Sequence, residues 1–183
     1  MPTQLPLLVL ARNDEARSAL EKELRAKQLF LKIIQRKVQP NATAVLEMPS
    51  DLAFLEPVTN YLTRRVNKMW SISADKSQAL GIALQEALVN AIKHGNRNNP
   101  EKRVRITAEL SSEEAKFVVE DEGEGFEKDH PPNPLNPANL YKPSGRGVLL
   151  IKSIMDKAEY NHRGNIVTMV KTRSTLDHPL TAS

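Results

Sequence analysis

A mixed α/β domain is what this sequence predicts, and three observations predict it. Arg103–Leu110 alternates strictly, with Val104, Ile106, Ala108 and Leu110 on one face and Arg103, Arg105, Thr107 and Glu109 on the other. That is the period-two pattern of a half-buried strand with a wet side. Leu80, Ala83, Ala87, Leu88 and Ala91 recur at helical spacing within Lys76–His94. Ser144-Gly145-Arg146-Gly147-Val148 then opens a second apolar helical run, Leu149, Leu150, Ile151 and Ile154. Strands and helices thus interleave in a chain of 183 residues, enough for one domain with some extension.

Taken in order, Leu5–Leu10 reads as a short buried strand and Asp14–Arg36 as a charged helix carrying Ala16, Leu20, Leu24, Ala26 and Leu29. This start resembles the first strand and helix of a response-regulator receiver domain, but the rest of that domain does not follow. Residues 1–40 are therefore expected to be an N-terminal extension, with Pro40-Asn41 marking a boundary. Ala42–Met48 reads as a strand, and Pro49-Ser50-Asp51 as a turn with capping residues leading into a helix that ends near Trp70. Pro57 fits that helix only near its first turn, where a missing N–H costs nothing.

Ser73–Asp75 offers an N-cap for the helix Lys76–His94. After the alternating strand, Ser111–Glu114 makes a hairpin turn, and Lys116–Glu120 carries the next strand into an acidic, glycine-bearing loop. Asp129–Pro143 holds five of the twelve prolines and excludes both helix and central strand. A helix over Ser144–Asp156 and strands over Lys157–Tyr160 and Ile166–Thr172, joined at Gly164, complete a body spanning 41–174, with a tail at 175–183.

Composition excludes several function classes. With no cysteine, the chain has no disulfide scaffold, thiol nucleophile or cysteine-based metal site. Hydrophobic residues at 40% and charged residues at 26% are values of folded domains, not disordered chains. No apolar run approaches the roughly 18 residues of a membrane span. Leu5–Leu10 is short, broken by Pro6 and preceded by no basic residue, so a signal peptide is not expected and a cytoplasmic protein is. The net charge of +4 fits anionic ligands as well as nucleic acid, but aromatics at 4% are too few for stacking platforms, and direct nucleic-acid binding is not expected.

Three stretches carry chemistry-bearing residues. Glu86, Asn90, Lys93 and His94 lie at offsets of four, seven and eight, on one flank of an otherwise apolar helix. Polar groups there are costly unless they meet partners or a ligand. Asn supplies a neutral oxygen suited to hydrated magnesium beside a phosphate, and Glu accepts a proton from an attacking hydroxyl; a plain solvent-facing stripe is the alternative. Asp121-Glu122-Gly123-Glu124-Gly125-Phe126 follows an apolar strand, so Asp121 ends that strand, where a carboxylate accepts hydrogen bonds from an exocyclic amine. Glycines at 123 and 125 leave no Cβ between backbone and a flat ring, although an ordinary turn uses the same residues. Ser144, Gly145, Arg146, Gly147 and Val148 open a helix whose unpaired N–H groups face an anion, or face only water. Neither a P-loop nor a dinucleotide-binding glycine pattern is present.

The order and spacing of these stretches matter more than any one of them. E-x-x-x-N-A-x-x-H-G on a helix, a strand ending D-x-G-x-G-F, a long proline-rich segment and S-G-x-G opening a helix: the combination resembles the GHKL ATPase superfamily, over about Ala42 to Thr172. Within it, Glu86–Asn96 and Gly145-Arg146-Gly147-Val148 leading to Ile154-Met155-Asp156 resemble the bacterial anti-sigma factor serine/threonine protein kinases. The resemblance implies an α/β (α+β) two-layer sandwich, a mixed sheet packed on helices, with ATP and Mg²⁺ held beneath a lid formed by Asp129–Pro143. It implies Glu86 as general base, Asn90 as magnesium ligand and Asp121 as acceptor for the adenine amine, with Gly123, Gly125 and Phe126 at the base. Ser144, Gly145, Arg146, Gly147 and Val148 would face the phosphates, with Lys93 and His94 nearby.

The implied activity is phosphorylation of a small antagonist protein and sequestration of a sigma factor, in a homodimer built through the first helix and outer strand. One position departs: such kinases can carry an arginine just before the Ser-Gly pair, and here that place is Pro143. An ATP-responsive adaptor without phosphoryl transfer is therefore the alternative. A sensor histidine kinase fragment fits less well, since His94, His130, His162 and His178 all lie within or after the nucleotide region.

Overall fold

The computed structural model describes residues 15–26, 32–38, 41–125 and 143–173. The elements run α1 (Glu15–Ala26), β1 (Lys32–Val38), β2 (Asn41–Pro49), a 3₁₀ turn (Leu52–Phe54), α2 (Leu55–Trp70), α3 (Ala74–Val89), a π-helical turn (Asn90–Gly95), β3 (Arg103–Leu110), β4 (Glu114–Asp121), α4 (Pro143–Ile154), β5 (Lys157–Tyr160) and β6 (Ile166–Thr172). The strands form one six-stranded sheet in the order β1-β2-β3-β4-β6-β5. Among the described residues, four α-helices and one sheet make the expected two-layer α+β sandwich.

Alternation along the strands decides which face of the sheet is covered. Leu46 and Met48 of β2, Val104, Ile106 and Ala108 of β3, Phe117 and Val119 of β4 and Met169 of β6 are all buried in one core. Val58, Tyr61, Leu62 and Val66 of α2, Leu80, Leu84 and Leu88 of α3 and Ile151 of α4 join the same core from the helix layer. The opposite sheet face carries charge rows instead, with Arg105 paired to Glu47 at 2.6 Å and Lys116 to Glu109 at 3.4 Å. Such exposed pairs add little stability; they keep the uncovered face wet.

The sheet is antiparallel at every pairing among the described strands, which corrects the expected mixed sheet. The reason lies in the connection through α4. It returns β5 in the same direction as β4, as a crossover would, but β6 folds back between them and pairs with both. Parallel strands are present in direction, yet none are neighbours.

A second correction concerns Asp14–Arg36. The described helix α1 is Glu15–Ala26, and Lys32–Val38 is a strand zippered to β2 from Lys32↔Glu47 to Val38↔Asn41. The β-branched Ile33, Ile34 and Val38 favour that state over the helix. The break at Pro40-Asn41 thus falls between two paired strands. Leu20 and Leu24 of α1 are buried in the common core, so the described part of the N-terminal extension is packed on the main body. The strand expected at Leu5–Leu10, the lid at Asp129–Pro143 and the tail at 175–183 lie outside the described residues.

Local chemistry sets the helix limits. Asp51 Oδ1 accepts from Ala53 N at 2.8 Å, capping the approach to α2, and Pro57 falls at the third residue of α2, where no intrahelical N–H is required. The end of α2 is Ser71 in the left-handed region, φ 53 and ψ 45, and Trp70 Nε1 donates to Ser111 O at 2.9 Å, tying that end to the β3–β4 hairpin. A serine there bears a Cβ penalty that glycine avoids. Ser71→Gly should raise the unfolding free energy by about 0.5–1 kcal/mol, read as a higher urea midpoint with unchanged slope; a lowered midpoint would contradict the assignment.

Candidate functional site

The three chemistry-bearing stretches meet at one end of the helix layer. A single cleft is lined by Ala87, Asn90, Ala91, His94 and Gly95 from α3 and the π turn, Val119 and Asp121 from β4, Gly125 beyond it, and Tyr160, Gly164, Asn165 and Val167 from the β5–β6 hairpin. The chain brings α3 in from the hairpin end of the sheet and α4 back out, so the two helices pack antiparallel. Where they cross, a Cβ built on Gly147 would lie 2.5 Å from Glu86 Oε2 and 3.5 Å from Asn90 Nδ2. The glycine turn of α4 therefore sits directly on the polar flank of α3.

Asp121 is the last residue of β4 and only 7% exposed. Its Oδ1 accepts from Gly123 N at 2.8 Å. Two glycines make room for it: a Cβ on Gly95 would stand 2.2 Å from Asp121 Cγ, and one on Gly123 would stand 2.2 Å from Gly95 O. Burial raises the Asp121 pKa above the ordinary carboxylate value, opposed by the Gly123 hydrogen bond and by Lys102 and Arg163, and reinforced by Glu120. A buried carboxylate with one hydrogen bond has acceptor capacity left over, and it borders the cleft.

The backbone around Asp121 is bracketed on both sides. Asp121 N donates to Asn165 O at 3.0 Å and Asn165 Nδ2 donates to Asp121 O at 2.9 Å. On the other side Asn96, fully buried, donates from Nδ2 to Ser50 Oγ at 2.6 Å and to Arg103 O at 2.8 Å, and accepts from Glu122 N at 2.9 Å. One amide thereby pins the π turn, the end of β2, the start of β3 and the acidic loop together.

Asn90 is the C-cap of α3 and opens the π turn, with its Nδ2 buried and without a hydrogen-bond partner among the described residues. It approaches the Tyr160 hydroxyl; burial raises the pKa of that phenol, the Asn90 amide lowers it and Asp121 raises it further. The amide therefore meets the Tyr160 hydroxyl while its buried Nδ2 keeps unused donor capacity at the cleft. Because amide O and N are interchangeable by rotation, either atom can face the cleft.

Of the residues singled out in the sequence, Asn90, His94, Asp121 and Gly125 line the cleft, Gly123 lies against Gly95 and Asp121, and Gly147 lies against Glu86 and Asn90. Lys93 is exposed and is not among the lining residues. The helix expected to continue regularly to His94 widens into the π turn over Asn90–Gly95, and of the two residues at offsets seven and eight His94 lines the cleft. Arg146 is exposed and Val148 half-buried on the first turns of α4, whose backbone begins at Pro143 and includes Ser144 and Gly145. Phe126 lies outside the described residues. Sequence reasoning missed Gly95, Asn96, Tyr160, Arg163 and Asn165 as parts of the site. Gly95 and Asn96 stand at the end of the helical motif; Arg163 and Asn165 sit in a turn whose partner loop is about 40 positions away, Tyr160 ends β5, and no local pattern marks these three.

The histidine kinase-like ATPase domain family matches residues 48–171. "Serine-protein kinase RsbW" of Staphylococcus epidermidis is 31% identical over 107 residues, covering 54% of this chain and 67% of the relative. The protein of the same name from Bacillus subtilis is 30% identical over 119 residues, 58% of this chain and 72% of the relative. That from Oceanobacillus iheyensis is 22% identical over 131 residues, with 68% and 82% covered. No described helix is long and apolar enough to cross a membrane.

Gly95→Ala tests the packing. The added methyl would collide with the Asp121 carboxyl group, so the variant should lose about 1–3 kcal/mol of stability, the usual cost of overpacking, in urea denaturation. An unchanged midpoint would mean that Asp121 does not pack on Gly95.

Proposed function

Because this chain belongs to the histidine kinase-like ATPase family, we propose that its cleft binds ATP with Mg²⁺ and that the protein is a serine/threonine kinase of the anti-sigma type. One observation carries the reading: Asp121 and Asn90 face one cleft, with the glycine turn of α4 seated on Glu86 at its rim. The sequence relatives named as serine-protein kinases support the same class of activity.

Each residue has a physical task in this reading. Asp121 accepts a hydrogen bond from the adenine amine, its orientation fixed by Gly123 N and its wall made of the small faces of Ala87, Ala91 and Gly95. Gly125, at φ 82, keeps the loop flat beside the base. Asn90 offers its amide oxygen to magnesium. Among the described residues no group of three or more His, Asp or Glu is placed to hold a metal, and a lone amide suits an ion that keeps several waters and takes phosphate oxygens. When bound, magnesium–ATP supplies the phosphoryl group and the neutralising charge. Glu86 takes the proton from a serine or threonine hydroxyl of the protein substrate. The first turn of α4, Pro143 to Gly147, offers unpaired N–H groups to an anion, with Gly145 and Gly147 permitting close approach. Proline is well suited to the first turn, where its missing N–H is not needed.

A small antagonist protein is the proposed substrate and a sigma factor the proposed sequestered partner, in a homodimer of this chain. A second reading keeps the nucleotide and drops the transfer, as an ATP-responsive adaptor. The observation favouring it is that α4 begins at Pro143, where kinases of this type can place an arginine.

Asp121→Asn keeps the side-chain shape and the acceptor for Gly123 N, so the fold should persist at pH 7 while ATP affinity falls roughly 10- to 100-fold by calorimetry, the loss expected for a hydrogen bond to a charged group. Wild-type affinity in that variant would remove the adenine contact. Acidity gives a separate prediction. With its folded pKa above its unfolded value, Asp121 contributes stability that is fully present below the unfolded pKa and lost as pH rises through the folded one. Asp121→Asn should therefore flatten the stability profile of the free protein in that window, and ATP binding by the wild type should weaken on acidification at a pH above the ordinary carboxylate range. Glu86→Ala should spare ATP binding and cut transfer of labelled phosphate by roughly 10²- to 10⁴-fold; undiminished transfer would exclude Glu86 as base.

A further inference from the structure

Beyond the Asn165 hydrogen bonds to the Asp121 backbone, the contacts of the β5–β6 turn converge on the loop that follows Asp121. Arg163 Nη2 donates to Gly123 O at 3.0 Å and Arg163 Nε reaches Glu124 O at 3.4 Å. The peptide that accepts from this guanidinium belongs to the residue whose N–H holds Asp121 Oδ1 at 2.8 Å. The Arg163 backbone is pressed against the same loop: a Cβ on Gly125 would lie 1.6 Å from Arg163 O. The turn itself is braced, with Asn161 Oδ1 accepting from Gly164 N at 2.8 Å and from Ile166 N at 3.2 Å, and Asn161 Nδ2 donating to Asn165 Oδ1 at 3.1 Å.

We propose that Arg163 is a positioning residue for the base-binding carboxylate: its guanidinium fixes the Gly123–Glu124 backbone so that Asp121 stays aimed into the cleft. The turn has no need of a cation for its own closure, because Asn161 already supplies that. Holding a long, exposed side chain on two carbonyls costs rotamer freedom, and the gain falls on the loop that carries Asp121. Arg163 also stands with Lys102 as a positive group near this carboxylate, opposed by Glu120, while Tyr160 and His94 border the same cleft. Removing the cation should therefore change both the aim of the carboxylate and the pH at which it ionises.

The inference rests on the nucleotide reading of the cleft, and its test separates the two. Arg163→Gln and Arg163→Lys are compared with the wild type in two measurements: carboxyl-carbon NMR titration of Asp121 in the free protein, and calorimetric binding of ATP and GTP. Arg163→Gln should move the Asp121 titration to higher pH, weaken ATP about tenfold, the size of one impaired charge-assisted hydrogen bond, and narrow the preference for ATP over GTP. Arg163→Lys should keep the Asp121 titration near the wild-type pH and recover part of the affinity. A merely structural role would lower the melting point of both variants without moving the Asp121 titration or the base preference, and that result overturns the proposal. So does a shifted titration with unaltered ATP affinity. If the wild type itself fails to bind ATP, the nucleotide reading fails, and an Asp121 titration that ignores Arg163→Gln would then overturn the positioning role as well.

Discussion

The organising constraint of this molecule is a carboxylate buried where two glycine backbones leave it just enough room. Asp121 lies against Gly95 and beside Gly123 at separations that no Cβ could occupy. Burial of this kind is unfavourable for the charged form, and the surroundings offset it with one backbone N–H and two nearby cations rather than with a closed ion pair. The result is an acceptor that is aimed and only partly satisfied. In the proposed reading that acceptor takes the exocyclic amine of the base, and the elements around it hold it in place. The π turn delivers Gly95, Asn96 clamps the acidic loop to β2 and β3, and the β5–β6 hairpin closes the far side.

Much of this was legible before any coordinates. The strands Lys157–Tyr160 and Ile166–Thr172 and the alternating strand Arg103–Leu110 appear with the expected limits, because burial on one face leaves a period-two signature that a one-residue slip would destroy. Glu86, Asn90, Asp121 and Gly147 were singled out from residue type and spacing, and all four converge at the cleft or its rim. Such residues are visible because each breaks a local rule, being polar within an apolar helix or strand, or glycine where a side chain would be cheap.

What the sequence concealed is equally physical. A π turn differs from an α-helix by one residue per hydrogen-bonded ring, and nothing in Asn90–Gly95 announces it. The strand Lys32–Val38 was absorbed into a helix because its charged residues mask the β-branched ones, and its preference is settled by pairing with β2, a contact that local pattern cannot see. The antiparallel sheet hides behind a crossover whose parallel partner is displaced by β6. Arg163 and Asn165 act on a loop some forty positions earlier, where only the closed fold makes them neighbours.

The most direct measurement is a crystal structure of the whole chain with magnesium and a non-hydrolysable ATP analogue. The account predicts the adenine amine at hydrogen-bond distance, about 2.7–3.2 Å, from an Asp121 carboxylate oxygen, with Asn90 beside the metal and the phosphates toward the first turn of α4. A nucleotide bound elsewhere, or one whose base leaves Asp121 untouched, would contradict it.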